Sequence, residues 1–145
     1  MDMEKVRIEV GVGVNTQCIN IRKEVFTKEQ GLPDGADEID LSATYLLVHV
    51  AGEAEPVATC RIFMTSEANS CMVGRFAVKR NWRKMGLGRQ LLARAESEAK
   101  RLGATKMVVH AQEQAEGFYA SAGYTSTGIR DVEVGCPHVW MERLL

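Results

Sequence analysis

Residues Val73–Arg89 read VGRFAVKRNWRKMGLGR, an apolar strand-like run that passes through a cationic turn into two glycines. From Gly86 the period changes. Leu87, Leu91, Leu92, Ala95, Ala99 and Leu102 recur at steps of one, three and four, which predicts one apolar face on a helix of about 16 residues. Gly103 supplies its stop. The charge is odd for a helix start, because Lys79, Arg80, Arg83, Lys84, Arg89 and Arg94 stand together with no acid among them. Cations there face the positive end of the macrodipole, at a few tenths to about 1 kcal/mol each where exposed. A phosphate resolves the conflict, since the N–H groups of a first helical turn point outward and Gly86 and Gly88 let the backbone approach closely. A Walker P-loop needs GxxxxGK followed by Ser or Thr, and a dinucleotide fingerprint needs a third glycine; this segment has neither. The competing reading is a solvated basic turn whose glycines serve geometry alone.

Outward from this segment the pattern is regular. Lys5–Val10 alternates as a first strand, and Thr16 to about Glu29 places Cys18, Ile21, Val25 and Phe26 at helical spacing. Gly31–Asp40 is an acidic loop. Tyr45–Val50 and Val57–Met64 are apolar runs joined closely enough for an antiparallel hairpin, and Met72–Val78 is a third strand of that sheet. Beyond the long helix come a strand at Lys106–Ala111, a short helix near Ala115–Ala122 closed by Gly123, and strands near Thr125–Val134 and Val139–Leu144. The expected order is β α β β β α β α β β.

Composition sets the outer bounds. At 145 residues, 46% apolar and 26% charged, the chain is expected to form one globular domain over residues 1–145. With 18 basic and 19 acidic residues it carries a formal charge of −1, so no nucleic-acid partner is expected. Met1–Glu9 is charged where a signal peptide would be apolar, and no run reaches the roughly 18 apolar residues of a spanning helix. The expectation is a cytoplasmic chain without a membrane partner. Cys18, Cys60, Cys71 and Cys136 form no CxxC pair and have no histidine at ligand spacing, so they read as reduced thiols, and no metal is expected.

The strand Val73–Val78, the Arg83-x-x-Gly86-x-Gly88 turn, the amphipathic helix and AEGFYASAGY at Ala115–Tyr124 resemble, in type, order and spacing, the GNAT superfamily of N-acetyltransferases. A closer likeness is to its ElaA-like branch, through Val25-Phe26 with Glu29-Gln30-Gly31-Leu32-Pro33, through Glu38-Ile39-Asp40, and through Ala111-Gln112 and Glu133 with Pro137-His138. That branch carries an acid at the position of Gly74 and a histidine at that of Tyr45. The resemblance implies an α/β (α+β) fold: a mixed, mostly antiparallel sheet flanked by helices, with a splayed strand pair forming an acyl-CoA cleft.

It also implies acetyl transfer from acetyl-CoA to a primary amine of a small molecule or protein. In this reading Phe76, Ala77 and Val78 offer main-chain groups to the pantetheine and acetyl carbonyl. Arg83, Lys84, Met85, Gly86, Leu87, Gly88 and Arg89 hold the pyrophosphate, and Gln112 contacts the cofactor. Tyr119 matches the family tyrosine that protonates the departing sulfur. For the base, Glu29, Glu38, Asp40, His110, Glu113 and His138 are candidates, with His138 and Glu29 foremost; His49 reads as structural. The acids of the loop could instead bind a cationic amine. A non-catalytic acyl-CoA-binding module is the alternative function, and a homodimer is among the assemblies open to the chain.

Overall fold

The computed structural model describes residues 5–145; residues 1–4, part of the charged N-terminal stretch, lie outside the described residues. The strands are β1 Val6–Val12, β2 Thr44–Val50, β3 Ala58–Met64, β4 Ser70–Val78, β5 Lys106–Gln112, β6 Thr125–Glu133 and β7 Cys136–Leu144. The helices are α1 Thr16–Arg22, α2 Leu87–Arg101 and α3 Glu116–Ser121. The strands form one sheet in the order β1-β2-β3-β4-β5-β7-β6, every neighbouring pair antiparallel except β4 with β5. The parallel pair follows from the connection, since α2 carries the chain back across the sheet.

The apolar stripe predicted for the long helix is the one buried: Leu87, Leu91, Leu92, Ala95 and Ala99 pack on Val48, Ile62, Val73 and Met107. On the other face α1 buries Cys18 and Ile21, and the turn that follows it buries Val25, against Leu47 and Ala77. One helix was expected over residues 16–29. The chain instead winds as an α-helix to Arg22 and continues as a wider π-helical stretch, Lys23–Glu29, a geometry found at functional sites.

Two strand irregularities position the site. Thr59 pairs with Ala77 and Arg61 with Gly74, so β4 carries an extra residue there, and Arg75 takes a left-handed φ of 47°. This bulge bends the strand. The β4–β5 ladder runs only from Ser70 with Lys106 to Val73 with Val109 and then stops, while β5 stays paired to β7 through Gln112. The sheet is therefore split beyond Val73, with residues 74–78 on one lip and 110–112 on the other.

Candidate active site

At the mouth of the split, α2 begins on Gly86, whose φ of 84° is left-handed, and Lys84 two residues earlier is also left-handed at 63°. Alternating left- and right-handed residues turn successive N–H groups toward one side, forming an anion-binding concavity. The first amide bond of the helix runs from Gln90 to the Gly86 carbonyl. Among the described residues, the amides of 84–89 have no backbone partner. A Cβ on Gly86 would meet nothing within 4 Å, whereas one on Gly88 would stand 3.3 Å from the Phe118 ring. Gly86 is thus required for backbone conformation and Gly88 for close packing.

The cation cluster is partly compensated by acids that lie outside it. Arg83 makes a bidentate pair with Glu29 at 2.7 and 3.0 Å, and its Nε donates to the Val78 carbonyl at 2.8 Å. Arg80 lies 3.6 Å from Glu29, Lys79 3.8 Å from Glu55, and Arg94 bonds Glu98. Lys84 and Arg89 have no acidic partner among the described residues. Glu29 is therefore held as the counter-ion of Arg83, tying the end of the π-helical stretch to the lip of β4. This corrects two expectations: Glu29 is not a free base, and the Val78 carbonyl is already occupied.

Tyr119 projects from α3 into the α2 side of the core and is 4% exposed. It packs edge-on against Phe118, Phe76 and Tyr124, with centroids at 5.0, 6.1 and 5.6 Å. Burial, then the proximity of Cys60, pushes its phenol above the ordinary value. No hydrogen bond contributes to that shift. Phe76, Gly88, Phe118 and Tyr119 thus meet on the α2 side of the split, while Ala77 packs on the α1 face.

His138 lies on the opposite face, because Val139 and Met141, its alternating neighbours on β7, are buried on the α2 side. Its Nδ1 is 2.7 Å from the Cys136 carbonyl. A carbonyl only accepts, so Nδ1 carries a hydrogen and donates it. Gln112, paired with His138 across the strands, donates to Gln30 at 3.1 Å and accepts from Gln114. Its side-chain amide is thus engaged with the loop after α1 rather than directed to the cationic turn.

The acidic loop is anchored inward. Asp40 is 7% exposed and accepts from Arg22 at 2.9 and 3.0 Å and from Arg61 at 2.9 Å. Asp37 accepts from Arg61 and Arg75, and Arg75 Nε also donates to the Gly35 carbonyl. Burial alone would raise the Asp40 carboxyl, but the Arg22 and Arg61 hydrogen bonds and the Asp37 amide outweigh it and hold it at about 2. Asp40 is spoken for and cannot act as base or amine ligand. Sequence reading missed these arginines, because Arg22 and Arg61 sit within apolar periodic runs whose polar members give no sign of their partners. His49 bonds Glu9 at 2.8 Å, the structural role expected.

A sheet split beside a helix start with unpartnered amides places the chain in a definite class. The profile described as "Acetyltransferase (GNAT) domain" matches residues 9–145, and the chain belongs to this acetyltransferase family. A Bacillus subtilis (strain 168) protein described as a candidate acetyltransferase is 32% identical over 131 residues, 87% of this chain and 86% of that one. Escherichia coli ElaA has the same fold, with a TM-score of 0.82 at 23% identity over 95% of this chain and 99% of that one. A Bacillus subtilis acetyltransferase solved in complex with CoA superposes with a TM-score of 0.74 at 20% identity, over 97% of this chain and 99% of that one. No helix of the described residues is long and apolar enough to cross a membrane.

Proposed function

We propose that this chain transfers an acetyl group from acetyl-CoA to a primary amine by direct attack in the β4–β5 split. The observation that carries the reading is the set of unpartnered amides at 84–89, with Lys84 and Arg89 beside them. The CoA complex of a neighbour with this fold agrees with it. Main-chain N–H groups of residues 84–89 receive the pyrophosphate. The lip at Phe76 and Ala77 pairs with the pantetheine as an added strand would, and an N–H at the thioester carbonyl stabilises the oxyanion.

The N–C bond forms as the C–S bond breaks; the ammonium nitrogen gives up two protons, one before attack and one as the amide forms, while the sulfur takes up one, so that Tyr119 is restored and one proton passes to solvent per turnover. A lysine-like amine must shed one at a cost of about 3.4 pKa units near neutrality, or about 4.6 kcal/mol. His138 Nε2 faces the acceptor side and takes it. Tyr119, on the other side of the sheet, returns a proton to the sulfur. Its raised value keeps it protonated at neutral pH, and the same burial raises the proton affinity of the thiolate it serves.

Calorimetry with CoA tests the site. Gly86→Glu fills only open space in the fold, at a left-handed cost of about 1–2 kcal/mol, yet it puts a carboxylate where the pyrophosphate sits. Binding should be lost while the variant remains folded. Unchanged CoA affinity in the folded variant would overturn the assignment. CoA binding with no thiol release across a panel of amines would identify an acyl-CoA-binding module instead.

A further inference from the structure

The face of β5 and β7 not covered by α2 carries a constellation of which acetyl transfer uses His138 alone. The hairpin between β6 and β7 turns on Val134 and Gly135, both left-handed at 46° and 76°, and sets Asp131 opposite His138 and Glu133 opposite Cys136. Across β7, His110 pairs with Trp140 and Gln112 with His138. Four chemically active side chains, from His110, Asp131, Glu133 and His138, thereby meet on one face.

Their atoms are sorted by partner. His110 Nε2 bonds Asp131, and Trp140 both stacks on the His110 ring at 4.3 Å and donates to Asp131 at 3.3 Å. The His110 Nδ1 lies 3.1 Å from Glu133 Oε2, so without a cation a proton holds that nitrogen and the carboxylate together, and a bound ion would take the proton's place. His138 donates from Nδ1 to the Cys136 carbonyl, and its Nε2 faces Glu133 at 3.8 Å, beyond hydrogen-bond reach, from a side chain 8% exposed. Each imidazole is thus oriented from behind by an oxygen acceptor, with its other nitrogen turned toward one carboxylate. That is how metal-binding histidines are held.

We infer that His110 Nδ1, Glu133 Oε2 and His138 Nε2 form a binding site for a divalent transition-metal ion of the zinc type. The three atoms lie within 4.8 Å of one another. Zinc–nitrogen and zinc–oxygen bonds near 2.1 Å put tetrahedral ligands about 3.4 Å apart. Closure asks the widest pair to contract by at most roughly 1.4 Å. Two imidazoles and a carboxylate suit zinc, and also nickel or copper, better than magnesium or calcium, which favour oxygen donors. Glu133 is half exposed, leaving a path for the ion and a fourth position for water. Sequence spacing showed no such set, because its members lie at 110, 133 and 138. A cation here takes the His138 lone pair that the transfer reading gives to the amine proton. The ion-free chain is thus the one that uses His138 as a base, and binding is measured without CoA or amine.

The test uses tag-free full chain, stripped with chelator and titrated with Zn²⁺ by calorimetry and with Co²⁺ by visible absorption. The expected result is one ion per chain and a tetrahedral Co²⁺ spectrum. Asp131→Asn keeps all three ligands and should weaken Zn²⁺ binding 10- to 100-fold, the usual effect of losing such a backing partner. Glu133→Gln should weaken it further, and Cys136→Ser should leave it unchanged. Circular dichroism establishes that each variant is folded. Absence of a Co²⁺ spectrum in the wild-type chain, or equal affinity in folded Asp131→Asn and Glu133→Gln, would overturn the site. Neither readout involves acetyl transfer, so each proposal fails on its own evidence.

Discussion

Tyr119 combines a packing role and a chemical one in a single side chain, and substitution separates them. Tyr119→Phe keeps the ring against Phe76, Phe118 and Tyr124 and deletes only the proton donor. General acid catalysis is worth about 10²- to 10⁴-fold, so kcat should fall by that range with CoA affinity nearly unchanged. Tyr119→Ala should also lower stability, by about 3–5 kcal/mol for a truncated buried aromatic ring. Steady-state kinetics and calorimetry on both variants check this; full activity in the Phe variant would remove Tyr119 from the chemistry. At this scale the sequence was informative where a residue type answers to local geometry. Gly86 could be read because a left-handed helix start demands glycine. Glu29 could not, because its engagement depends on Arg83, 54 positions away, and nothing in either neighbourhood signals the pair.

Among the elements, the loop between α1 and β2 is the one held by charge rather than apolar burial. Asp40 and Asp37 bind Arg22, Arg61 and Arg75, and Arg22 Nε and Arg61 Nε remain without partners among the described residues. Such a network is costly to break from one side: Asp40→Asn leaves two buried guanidinium groups short of charge and should destabilise by about 3–5 kcal/mol. Acid should act in the same way. Hydrogen bonds from Arg61 also lower the Asp37 carboxyl. Both acids are depressed in the folded state, so their contribution is complete above the unfolded value near 3.9 and is lost as pH falls through about 2. The melting temperature should drop between pH 4 and pH 2, and Asp40→Asn should flatten that drop. A wild-type melting curve unchanged across the window would contradict the assignment. Element boundaries were read with mixed success. The face of α2 was legible from its period, whereas the π-helical winding after Arg22 leaves no periodic mark over so few residues.

For the whole molecule, the order of strands and helices was legible because each element carries its own period and its own stops, and the connection lengths limit how they pair. The split was not, because it depends on a bulge at Gly74 and Arg75 that alters neither hydrophobicity nor turn chemistry; it entered only through family resemblance. A ligand lying in that split should stabilise the fold by about 2.7 kcal/mol at a hundred times its dissociation constant, a rise on the order of 8 °C for a chain of this size. Thermal melts with CoA, NAD and ATP at equal concentration check the ligand class, and equal shifts for all three would refute it. The short β4–β5 ladder has a consequence for time as well as shape. On each side of it the strands are antiparallel, whereas the seam itself is parallel and holds four residue pairs. Parallel pairing through the α2 crossover is intrinsically slow, so the two halves join late. Contacts made after the folding barrier chiefly govern how fast the native state is left. A cofactor bridging this late seam would act as a clasp, prolonging the lifetime of the folded chain without hastening its formation.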